Sequence, residues 1–118
     1  MGDTTSSSVV WNKKIIGGWF YIKSVGTGDP SKKFMSPRDS SGHETHIAST
    51  AGGNVVGNGT LDGLAQGTAW GGVIGSVLGV YKFCWKGNCR DGDVLATFDD
   101  SNNDNMDIIF VSLGFSIE

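Results

Sequence analysis

An α/β fold with a parallel sheet is what this sequence predicts, on three observations. Residues 73–85 and 107–113 are apolar and β-branched without strict alternation, as in strands covered on both faces. Between them residues 91–100 read as a helix, with Asp91 or Asp93 as cap and Val94, Leu95 and Phe98 on one face. Upstream, residues 41–51 form a second helical stretch of small side chains, suited to packing tightly on a sheet. Strand, helix, strand in that order predicts a right-handed βαβ unit with helices on the sheet faces.

Taken in order, residues 1–8 are polar and predict a disordered N-terminus, with a single partial domain over 9–118. Residues 9–20 mix aromatics with Ile15 and Ile16 and read as a short strand and a turn at Gly17-Gly18. Residues 26–41 hold both prolines, Pro30 and Pro37, in a surface loop. Ser40 or Ser41 then serves as helix N-cap and puts Glu44 in the first turn. His43, Ile47 and Ala51 share one stripe, His46 and Thr50 the next, and Gly52-Gly53 or Gly57 ends the helix. Residues 57–72 read as a glycine-rich loop anchored by Leu61, Leu64 and Ala65. The second strand is centred on residues 77–81. Residues 99–106 favour turns and caps, so the second helix is expected to end early.

The totals narrow the function. At 118 residues the chain suits one small domain, burying roughly two-thirds of its unfolded surface. Its 38% hydrophobic and 18% charged residues are a globular composition, and 19 glycines raise the conformational entropy that folding must overcome. A net charge of -3 without basic clusters excludes nucleic acid as the expected partner. No apolar run is long enough to cross a bilayer, so no membrane partner is expected, and residues 1–8 lack the regions of a signal peptide. The start Met-Gly-Asp-Thr-Thr-Ser fits a short myristoylation pattern, but nothing polybasic supports it. A parallel sheet needs helices on both faces, which two helices cannot provide, so the chain is expected to be part of a larger domain.

The stretch Gly42-His43-Glu44-Thr45-His46 carries the chemistry. A zinc protease motif separates its histidines by four positions; here the spacing is three, with no third ligand evident, so no metal and no cofactor is expected. Both imidazoles can equally be packing residues of a first helical turn. Cys84 and Cys89 flank a turn signal at Gly87-Asn88, and can be a short-loop disulfide or two free thiols.

The motifs SPRDSSGHETHIAST, GTAWGGV, VYKFCWKGNC, DGDVLATFDD and MDIIFVSLG, in that order, resemble the plant subtilases, the subtilisin-like serine endopeptidases of peptidase family S8. The likeness runs from about Asn12 to Gly114. It implies a part of the subtilisin-like parallel-sheet domain and a family activity of peptide-bond hydrolysis through an acyl-enzyme. His43 is then the general base, since imidazole titrates near neutrality and can take and return the serine proton. His46 matches a structural histidine. Ser112, Leu113 and Gly114 match the strand whose backbone pairs with an extended substrate. The resemblance also implies a Cys84–Cys89 disulfide, peptide or protein substrates, other parts of a subtilase domain as partner, and an extracellular or cell-wall location.

Three features depart from the family: Glu44 and Trp70 stand where it has glycine and arginine, and residues 99–106 stand where it has an alanine-rich helical stretch. No Asp-Thr-Gly or Asp-Ser-Gly precedes His43 and no Gly-Thr-Ser follows it. The sequence therefore predicts an incomplete domain inactive alone, with a non-catalytic protein that binds peptides or a partner chain as the alternative.

Overall fold

In the computed structural model, residues 13–22, 35–85 and 87–114 are described. The predicted disordered N-terminus and the Pro30 part of the loop lie outside them. The chain divides into two units, one of Met1–Arg38 and Gly79–Ile109 and one of Asp39–Leu78 and Phe110–Glu118.

The first unit is organised by aromatic side chains. Strand β1 (Ile15–Phe20) pairs with β4 (Leu78–Lys82), and the Tyr21 amide extends the pairing by donating to the Lys82 carbonyl at 2.9 Å. The turn expected at Gly17-Gly18 is not there, because β1 runs straight through it. Gly17 is needed for packing: a Cβ at this position would run into the Trp19 indole, which stacks on Tyr81 with ring centroids 4.7 Å apart. Among the described residues, Phe20, Tyr21 and Trp85 are the buried apolar side chains. Phe20 meets Trp85 edge-on at 6.0 Å, and the Trp85 indole N–H donates to the Tyr21 carbonyl at 2.7 Å, so the ring is buried without an orphaned donor. The Lys82 ammonium lies 4.4 Å from the centre of the Trp85 ring and donates to the Arg38 carbonyl. Beyond β4, β5 (Cys84–Trp85) and β6 (Asn88–Cys89) form a small antiparallel pair closed by a Cys84–Cys89 disulfide, with Gly87 at φ 79°.

Helix α2 (Asp91–Asn103) departs from its predicted form in three ways. Its N-cap is Arg90, in extended backbone and without a side-chain capping bond, rather than Asp91 or Asp93. Its buried stripe is Asp93, Thr97 and Ser101, whereas Leu95 is 65% and Phe98 40% exposed. Small polar groups can line that face because Thr97 and Ser101 satisfy their hydroxyls on the helix's own carbonyls, those of Asp93 and Phe98. Asp93 keeps one carboxylate oxygen buried without a partner among the described residues, in the first turn where the helix dipole favours negative charge. Nor does the helix end at Asp100; it reaches Asn103. Asp100 and Asp104, one turn apart, accept hydrogen bonds from the Tyr21 hydroxyl at 3.0 Å and the Tyr81 hydroxyl at 2.7 Å. Those bonds tie the helix's last turn to β1 and β4, which offsets its poor local propensity. Burial, then the bond to the carboxylate, pushes both phenols above the usual tyrosine range.

The strand predicted over 107–113 is absent. Among the described residues no backbone-to-backbone hydrogen bond involves this stretch, and Ile108 is 85% exposed. A run that is apolar on both faces needs a neighbouring strand, and no described strand borders it, so the expected βαβ unit is left open. The α/β organisation holds in the alternation of strands and helices.

In the second unit, helix α1 (His43–Gly52) is followed by the hairpin β2 (Val56–Leu61) and β3 (Leu64–Ala69). Residues 57–72 are thus largely a hairpin rather than the predicted loop. The signal was Asp62-Gly63, both at positive φ (49° and 81°), as a two-residue type I′ turn requires. Leu61 and Leu64 anchor nothing; they are 75% and 72% exposed. The orphan carbonyls at the end of α1 are taken up by residues 71–73. Gly71, Gly72 and Val73 amides donate to the Gly53, Thr50 and Ala51 carbonyls at 3.0, 2.9 and 3.0 Å. Gly71 reaches them only because it has no Cβ, which would press on the Gly53 amide and the Ser49 carbonyl.

Gly71→Ala should therefore destabilise the chain by about 1–3 kcal/mol through overpacking against backbone. Gly57→Ala, with nothing within 4 Å of the added carbon, should stay within about 0.5 kcal/mol. Urea midpoints of the two variants check this, and equal shifts would contradict it.

Candidate active site

His43 is the first residue of α1, so its position depends on how that helix starts. The sequence predicted Ser40 or Ser41 as cap. Instead the N-cap is Gly42, at φ 89°, and it makes no side-chain capping bond. The left-handed turn lets a more distant carboxylate reach the free amides. Asp39 Oδ1 accepts from the Ser41 amide at 2.8 Å, the Gly42 amide at 3.0 Å and the Ser41 hydroxyl at 3.2 Å. Its Oδ2 accepts from the Thr45 amide at 2.9 Å and the Thr45 hydroxyl at 2.7 Å. Burial alone would raise the Asp39 carboxyl. The bonds from Thr45, Ser41 and Gly42 outweigh it and hold the group well below the usual carboxylate range. Asp39 was legible only as loop composition; the signal that could have revealed it is an Asp-Ser-Ser-Gly run directly before a helix.

The imidazole itself is exposed. Its Nε2 lies 3.3 Å from the Ser112 carbonyl oxygen, bringing together His43 and Ser112, two predicted site residues. A carbonyl oxygen only accepts, so this bond needs the tautomer, or the imidazolium, that carries a proton on Nε2. Leu113 and Gly114 follow on the same stretch, Leu113 half-exposed and Gly114 with open space where a side chain would be. Among the described residues no carboxylate and no serine hydroxyl bonds the His43 ring. His46 is exposed on the next stripe, and its carbonyl accepts from the hydroxyls of Ser49 and Thr50. Among the described residues, no group of three His, Cys, Asp or Glu side chains is arranged to hold a metal. Cys84 and Cys89 belong to the other unit.

Residues 17–116 match the subtilase family, peptidase S8. The chain belongs to the subtilase family. It is 49% identical over 110 residues to a subtilisin-like serine-protease S of Lotus japonicus, a match that takes in 87% of this chain and 14% of that protein. It is 38% identical over 122 residues to the Arabidopsis thaliana subtilisin-like protease SBT3.9, with 98% and 16% covered, and 41% identical over 115 residues to SBT1.7, with 94% and 15% covered. This subtilase chain thus spans about one-seventh of the length of the curated relatives it matches.

Replacing the subtilase's Asp39 with Ala should cost about 1 kcal/mol, the usual value of a helix cap, and loosen the turn that carries His43. Because the folded carboxyl titrates below its unfolded value near 3.9, its contribution is complete above that pH and is lost as the pH falls toward the lower folded value. Helicity followed by circular dichroism during acid titration should show that loss in the parent and a flatter response in Asp39→Ala; parallel curves would contradict it.

Proposed function

We propose that this chain carries the general-base segment of a subtilisin-like serine endopeptidase and that, by itself, it does not hydrolyse peptides. His43 accepts the proton of a nucleophilic serine as that oxygen attacks the scissile carbonyl, then returns it to the leaving amine, with an acyl-enzyme between the two steps. Ser112, Leu113 and Gly114 offer main-chain groups to an extended peptide substrate, glycine allowing its close approach.

The observation that carries this reading is the pairing of His43 Nε2 with the Ser112 carbonyl, on a helix start fixed by Asp39. It sets an imidazole beside main chain that, among the described residues, makes no backbone-to-backbone hydrogen bond. The proposed inactivity of the chain alone is supported by the His43 ring having, among the described residues, neither a carboxylate bonded to it nor a serine hydroxyl. Removing any one triad member costs several powers of ten in rate. The extracellular or cell-wall location belongs to the same reading, and the Cys84–Cys89 bridge supports it, since such bonds persist in oxidising compartments. Among the described residues no helix is long and apolar enough to cross a membrane.

The purified chain should neither cleave a fluorogenic peptide nor take up a fluorophosphonate. Turnover that disappears in His43→Ala would overturn the claim of inactivity. Where the chain is joined to the remaining sequence of a matching relative, turnover should appear and fall by several powers of ten in His43→Ala. Full activity in that variant would remove the general-base assignment.

A further inference from the structure

The triplet Asn58-Gly59-Thr60 is the one Asn-x-Ser/Thr sequence in the 118 residues, and the hairpin presents it as an acceptor. Between the pairs Val56↔Ala69 and Gly59↔Gly67, β2 advances three residues (56 to 59) while β3 moves two (69 to 67), so β2 carries one extra residue there. Asn58 lies in that bulge at φ 58°, a left-handed conformation that asparagine tolerates better than most side chains. It is exposed, and its side-chain amide makes no hydrogen bond among the described residues. Every residue of β2 and β3 except Gly59 is exposed, so nothing on either face of the hairpin obstructs a bulky group at Asn58.

We propose that Asn58 is an N-glycosylation site, taking an oligosaccharide from a lipid-diphosphate donor. The side-chain nitrogen of Asn58 forms a new bond to the anomeric carbon of the donor's first sugar. The carbon–oxygen bond to the diphosphate breaks, the lipid diphosphate leaves, and the amide proton passes to a base of the transferase; nothing is oxidised or reduced. Thr60 supplies the hydroxyl the motif requires. In the folded hairpin that hydroxyl donates to the Leu64 carbonyl at 2.9 Å, so transfer occurs while the hairpin is open. An isolated two-stranded hairpin is marginal in water and opens readily. A hydrophilic glycan there also stands beside the exposed Leu61 and Leu64, a small apolar surface that would otherwise meet other chains.

This inference rests on the extracellular routing of the proposed function and not on its catalytic part. The full chain, fused to a cleavable secretory leader and produced in plant cells, would be analysed by intact mass and peptide mapping before and after peptide N-glycosidase. The expected result is an oligosaccharide mass on the Asn58 peptide, removed by the glycosidase to leave Asp at 58. It should be retained in Thr60→Ser and lost completely in Asn58→Gln and Thr60→Ala. Chain recovered with Cys84 and Cys89 bonded but Asn58 unmodified would overturn the proposal, because the bridge reports passage through the oxidising compartment. A glycan that persists in Asn58→Gln would overturn it too. Peptide mapping reads each variant whether or not it folds, and neither result depends on peptidase activity.

Discussion

The start of α1 depends on one carboxylate. Asp39 gathers five hydrogen bonds from Ser41, Gly42 and Thr45, and the chain turns left-handed at Gly42 to let it do so. Without that collection, three backbone amides at the helix start would need water, and the residue that follows Gly42 would have no fixed direction. His43 is that residue. The site is therefore built on a group that never touches the imidazole: the carboxylate sets the helix's first turn, and that turn sets where the ring points.

The same reliance on non-local partners explains what could and could not be read from the sequence. The end of α1 was legible because Gly52-Gly53 is a strong local stop, and the strand at 78–82 because its apolar run is concentrated there. The hairpin carried its own signal in Asp62-Gly63, hidden by the surrounding glycines. Gly17 looked like a turn residue because glycine's use as a cradle is invisible until the Trp19 ring is seen lying over it. The polar stripe of α2 inverted the usual rule that apolar positions mark the buried face. Its register is set by Tyr21 and Tyr81 reaching Asp100 and Asp104, partners up to 79 residues away in sequence that no helical window contains. At the site, the family likeness named both His43 and Ser112, but Asp39 gave no signal of comparable strength, because capping by a carboxylate through an intervening glycine depends on a backbone angle.

The exposed apolar side chains follow the same logic in reverse. Leu95 and Phe98 on α2, which helical periodicity marked as buried, and Ile108 and Phe110 on the stretch after it, which an apolar run marked as a buried strand, are exposed. Their chemistry was read correctly and their surroundings were not. The relatives this chain matches are about seven times its length.

If His43 is the general base we propose, its proton brings geometry and function into tension. A base acting on a serine needs a lone pair on Nε2, and so a proton on Nδ1, the tautomer a carboxylate at Nδ1 enforces in a catalytic triad. The bond to the Ser112 carbonyl asks for the opposite, a proton on Nε2. At 3.3 Å it is long for a hydrogen bond and costs little to break. A carboxylate brought to Nδ1 would form a shorter, charge-assisted bond, roughly twice as strong as a neutral one, and would draw the proton across the ring. The Ser112 carbonyl would then repel the Nε2 lone pair and turn the ring away until a hydroxyl or an imidazolium proton restored a donor between them.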